Sequence, residues 1–167
     1  SEAGCRSVFI PLLCRTNFGN EESMVRWVRK GEGKYDYDFT VMDRYLDVAE
    51  KHLGTPKMVT FQVWELYLSP RSLTRSLWKT GPVKGARQAL QGKGPRVTVV
   101  DRKTGKREML HLPRFEDPAS EALWRPLFAE LRKRKKRGGL EKTMMSVSIP
   151  DVWPSKEEVA FLHRVSG

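Results

Sequence analysis

The stretch Thr40–Trp64, TVMDRYLDVAEKHLGTPKMVTFQVW, decides the fold class. In its first half, Val41, Tyr45, Val48 and Ala49 recur at helical spacing, with Leu46 and Leu53 nearby. The Thr40 hydroxyl can cap the first turn, and Asp43 three residues on makes a shortened capping box. Gly54 stands where a helix ends in a left-handed residue, and Pro56 prevents continuation. The second half, Met58–Trp64, is β-branched and aromatic and reads as a strand.

Upstream, Ser7–Leu13 (SVFIPLL) is a near-continuous apolar run. That pattern suits a strand buried on both faces, as in parallel sheets, although Pro11 removes one ladder donor. Cys14–Glu22 is a polar, Gly-containing loop. Met24–Val28 is a short strand or a turn of helix, broken by Gly31 and Gly33. Asp36 and Asp38 of YDYDF read as a turn ahead of the helix. Two parallel strands need a crossover of this kind.

Downstream, Glu65–Gly94 is long, basic and rich in Gly and Pro. Arg96–Val100 and Arg107–Leu112 alternate around DRKTGK and read as a hairpin, so residues 66–112 form a loop-and-hairpin insertion. Asp117 and Pro118 open a second helix as N-cap and first residue. Leu123, Leu127 and Leu131 form its stripe, flanked by Trp124 and Phe128, and Gly138-Gly139 ends it. Lys142–Ile149 is a third core strand, PDVWP its following loop, and Ser155 with Glu158 a full capping box for a last helix. The order predicts an α/β fold with three parallel core strands, flanking helices and an inserted β-hairpin, in one domain over 1–167.

The 167 residues carry 31 Lys+Arg against 20 Asp+Glu, a net charge of +11. The 39% hydrophobic content excludes a disordered tail, and two cysteines exclude a disulfide scaffold. No run of about 18 apolar residues occurs, so no membrane span is expected. The start SEAGCRSVFIPLLC lacks the basic region of a signal peptide, and both ends read as cuts through a longer protein. Cys5 and Cys14 flank a strand and cannot bridge if it is straight.

In parallel α/β sheets, ligands bind beyond the carboxyl ends of the strands. That rule nominates Arg15 and Asn17 after the first strand, Trp64 and Glu65 after the second, and Asp151 and Trp153 after the third. Glycoside hydrolysis needs two carboxyl groups, one protonated and one ionised, and Glu65 and Asp151 can form such a pair. Trp64 and Trp153 offer flat apolar faces to sugar rings, while Arg15 and Asn17 can hydrogen-bond hydroxyls. His52, His111 and His163 lack metal-ligand spacing, and no P-loop, GxGxxG or GxSxG pattern occurs. No metal or cofactor is expected. The run Arg132–Arg137 sits at a helix carboxyl end, where cations favour the dipole and solvent. The basic loop 71–96, with Trp78 among its cations, can bind a polyanion.

Three segments carry a resemblance: NFGNEESMVRWVRKGEGKYDYDFTVMDRYLDVAEKHLG, VTFQVWE, and LWRPLFAELRKRKKRGGLEKTMMSVSIPDVWPSKEEV. Together they resemble the catalytic barrel of glycoside hydrolase-like proteins related to glycoside hydrolase family 123, particularly large bacterial members. The resemblance implies a partial TIM (β/α)8 barrel, the remainder of which lies elsewhere in the parent, and hydrolysis of O-glycosidic bonds in a carbohydrate substrate. It also implies an Asp-Glu pair after a barrel strand, the Asp orienting a substrate acetamido group and the Glu serving as acid. Asp151 matches the first position, but Val152 occupies the second. Three readings follow: Glu65 supplies the acid, another strand does, or the protein binds sugar without cleaving it.

Overall fold

The computed structural model describes residues 6–16, 18–65, 68, 90, 92–137, 140–148 and 154–167. Seven strands and three helices occur among them: β1 (Ser7–Pro11), β2 (Arg26–Gly31), β3 (Lys34–Asp38), α1 (Thr40–Leu53), β4 (Met58–Gln62), β5 (Arg96–Asp101), β6 (Arg107–His111), α2 (Pro118–Arg137), β7 (Met144–Ser148) and α3 (Lys156–Ser166). The α/β class and the three parallel core strands are as expected. β4 lies between β1 and β7, with Pro11, Gln62 and Ser148 level at the carboxyl edge. The sheet is open among the described residues. Pro11 sits at the end of an outer strand, where its missing N–H costs least.

One face of this sheet presents Val8, Ile10, Val59 and Phe61, all buried. α1 and α2 border it, leaving a cavity of about 280 Å³ lined by Met42, Leu46, Val59, Phe61, Leu131 and Leu140 among others. On the other face, Phe9 is 50% exposed and Thr60 is buried.

The second sheet has the order β3-β2-β5-β6. The hairpin expected over 96–112 is present as β5 and β6. It does not stand apart, however: β5 pairs in parallel with β2. Within YDYDF, Asp36 and Asp38, expected to turn, lie instead in strand β3, antiparallel to β2. Tyr35 and Tyr37 point inward at period two, while Lys34 and Asp36 are exposed. Both tyrosines pack edge-on against the fully buried Trp27, at 5.5 and 5.1 Å between ring centroids. Trp124 of α2 meets the same indole at 5.6 Å, and Phe115 and Phe161 stack at 5.2 Å behind it. The Tyr37 hydroxyl donates to the Leu123 carbonyl at 2.9 Å. The aromatic cluster thus joins the second sheet to α2 and α3.

Helix ends follow local chemistry. α1 is not capped by Thr40: its N-cap residue is Phe39, whose side chain makes no capping bond. Asp38 does the work, accepting from the Thr40 N–H at 2.9 Å and hydroxyl at 2.6 Å. Asp43 is drawn away to Arg134, whose guanidinium also lies 3.9 Å over the Phe39 ring. Asp117 caps α2 by accepting from the Ala119 N–H at 2.8 Å. Gly54 ends α1 with φ 72°, as expected. In the run Arg132–Arg137, Arg132 donates to the Val165 and Ser166 carbonyls and so closes the end of α3.

Candidate functional site

Main-chain hydrogen bonds join the carboxyl end of β1 both to β4 and to the second sheet. Leu12 donates to Gln62 O, Cys14 to Arg96 O and Met24 to Pro11 O, each at 2.9 Å. Gly94 lies at this joint. A Cβ there would fall 1.8 Å from the Leu112 carbonyl oxygen, so no larger residue fits without moving backbone. Among the described residues, the rim above the parallel strands is built by the loop after β1, the end of β4, and the chain entering β5.

Arg15 sits on the first segment. Its φ of 51° is left-handed, held by Arg15 N–H donating to Asn20 O at 2.6 Å. The Asn20 amide organises the loop: Nδ2 donates to Leu13 O at 2.8 Å and Glu22 O at 2.9 Å, while Oδ1 accepts from the Thr16 hydroxyl. The Arg15 side chain is exposed and pairs with Glu21 at 3.4 Å. Asn17 lies outside the described residues.

Glu65 follows β4 and is 3% exposed. Gln62 Nε2 donates to its Oε1 at 2.9 Å, so the carboxyl lies on the Gln62 side of the strand end. Gln62 is itself buried. It was not singled out from the sequence, although an amide in the apolar run MVTFQVW is a signal for a buried polar site. Trp64 is fully buried among the described residues. Its Nε1 donates to Glu158 Oε1 at 3.0 Å. Glu158 Oε2 accepts from the Ser155 N–H at 2.6 Å, and the Ser155 hydroxyl accepts from the Glu158 N–H at 3.1 Å. The capping box read from the sequence is present, and its Glu has a second role in tying α3 to the end of β4.

Asp151 and Trp153 lie outside the described residues, as does most of the basic loop 71–96. Among the described residues, no cluster of His, Cys, Asp and Glu could hold a metal, and no helix is long and apolar enough to cross a membrane. Cys14 is a buried free thiol, and burial pushes its ionisation upward against the Thr98 hydrogen bond and the nearby Arg96 and Arg15 charges.

In open parallel α/β sheets ligands bind beyond the carboxyl ends of the strands, and the buried Glu65 carboxyl lies past that end of β4. The chain belongs to the glycoside hydrolase 123 catalytic-domain family, whose model matches residues 4–162. Its fold is similar to that of a family 123 glycoside hydrolase from Clostridium perfringens, described for glycolipid glycan hydrolysis. The TM-score is 0.61 at 12% identity, covering 96% of this chain and 24% of that one. This chain thus spans about a quarter of the length of that structure. The search of curated proteins found no match.

Proposed function

We propose that the chain is part of a (β/α)8 glycoside hydrolase barrel, with residues 66–112 inserted, that cleaves O-glycosidic bonds in a carbohydrate. Glu65 is the acid/base and Asp151 the nucleophile or substrate-orienting group. Arg15 and Asn17 bind sugar hydroxyls, and Trp153 lies against a ring. Trp64, next to Glu65 in the sequence, is buried and anchored to Glu158. The observation that carries this reading is the buried carboxyl at the end of the central parallel strand, in a chain of a glycoside hydrolase family. β4 and β7 are neighbours about 4.8 Å apart, so the loops bearing Glu65 and Asp151 begin side by side. That spacing suits the ~5–9.5 Å carboxyl separation of glycosidases.

The test is Glu65→Gln assayed on a panel of aryl glycosides and oligosaccharides. The expected result is a kcat lowered about 10²–10⁴-fold with little change in melting. Unchanged turnover would remove Glu65 from the mechanism. A second reading, glycan binding without cleavage, is favoured by Val152 standing where the resemblance places an acid. Calorimetric binding of an oligosaccharide that is not turned over would support it.

A further inference from the structure

Two hairpin tips meet at one end of the second sheet. β2 and β5 are parallel neighbours with Arg29 beside Asp101, so the β2–β3 and β5–β6 turns lie side by side. The first tip carries Arg29, Lys30 and Lys34, the second Arg102, Lys103 and Lys106, all exposed. Gly33 and Gly105 in these turns would meet nothing within 4 Å if given a Cβ, so the tips are bare among the described residues.

The carboxylates nearby are mostly engaged. Asp101 is taken up by its own turn, accepting from Lys103 N–H at 2.9 Å, Thr104 N–H at 2.8 Å and the Thr104 hydroxyl at 2.9 Å. Asp36 stands between the hairpins, 3.1 Å from Lys30 and 3.8 Å from Arg102. Glu108 pairs with Arg29 at 2.6 Å. Lys34, Lys103 and Lys106 have no carboxylate partner among the described residues, and Glu32 is the remaining acid on the tips.

We propose that the paired tips form a binding surface for an acidic polysaccharide, a polymer bearing carboxylate or sulfate groups. Four strands place these cations across about 14 Å. Duplex DNA fits the surface less well. It carries one charge per ~1.7 Å of axis, and Glu32, Asp36, Asp101 and Glu108 interrupt the positive field with charges that repel so dense a line. Single strands bind by stacking on exposed aromatics. The tips have none, since Tyr35 and Tyr37 pack inward on Trp27.

The ligand is a polymer because of distance. The start of β5 is pinned to the carboxyl end of β1 by the Cys14–Arg96 bond. The tips lie a six-residue strand away, about 20 Å. A polysaccharide spans that distance and a single sugar does not. The polymer requirement rests on the hydrolase reading of the strand-end rim, whereas binding at the lysines of the tips does not depend on Glu65.

The test measures binding of the full chain to heparin, polygalacturonate and duplex DNA across a salt series. The expected result is binding to one or both polysaccharides, heparin reporting sulfate and polygalacturonate carboxylate recognition. Combined Lys34→Gln, Lys103→Gln and Lys106→Gln should weaken it roughly tenfold or more and lower the salt slope by about one unit per lysine removed. Replacing the same three lysines by Arg should keep it. Glu65→Gln should bind as the wild type does, which separates this site from the proposed chemistry. Wild-type affinity in the triple Gln variant would overturn the proposal and move binding to the 71–96 loop. Tighter binding to DNA than to either polysaccharide would overturn the assigned ligand class.

Discussion

Glu158 shows how much one carboxylate can organise. It is 2% exposed, yet it satisfies the Trp64 indole and the first turn of α3 together. In Glu158→Ala the indole N–H would stay buried without an acceptor, at about 1–3 kcal/mol. Half of the capping box would go as well, at about 1 kcal/mol. The expected loss in urea unfolding is about 3 kcal/mol. Glu158→Gln keeps an oxygen for the indole and should lose less. Equal losses in the two variants would place the effect in the charge and not in the hydrogen bond. Because Trp64 precedes Glu65 directly, this contact also sets where the proposed acid sits.

At the scale of elements, Asp38 links the end of β3 to the start of α1. Burial pushes its carboxyl up, but hydrogen bonds from the Thr40 hydroxyl and N–H, with Arg26 and Arg134 nearby, hold it below the usual carboxylate range. A lowered folded-state value means its stabilisation is present above the ordinary value of about 3.9 and is lost as pH falls through the folded one. Asp38→Ala should therefore cost about 1 kcal/mol at neutral pH. The gap from wild type should close on acidification below about pH 4. A gap unchanged down to pH 2, read from denaturant midpoints, would rule out this role. The elements themselves were largely legible. α1 declared itself by spacing and Gly54, the β5–β6 hairpin by alternation, and α3 by Ser155 and Glu158. β3 was missed because its two aspartates resemble a turn, although Tyr35 and Tyr37 carried the period of a strand. The partnership of β2 with β5 joins residues some seventy positions apart, and local pattern does not encode such pairings. The site was legible as positions at strand ends, but the direction of a side chain past a strand end was not. Glu65 and Trp64 are adjacent and equally buried, yet they serve different neighbours.

At the scale of the whole molecule, the parallel sheet has β1 and β7 as its outer strands among the described residues. Such borders template pairing with other chains. Phe9, half exposed on β1, adds apolar surface to one of them. The 167-residue chain alone should self-associate as concentration rises, and Phe9→Lys should reduce it, as followed by light scattering. Scattering that is the same in both would remove β1 as the contact. The strand order also has a temporal side. β4 sits in the middle of the finished sheet, but its partner β7 is made about 80 residues after it. At roughly 5–20 residues per second, a ribosome takes on the order of 4–16 s to supply that partner. The pairing that completes the most protected strand is therefore the last one that synthesis makes possible in this sheet.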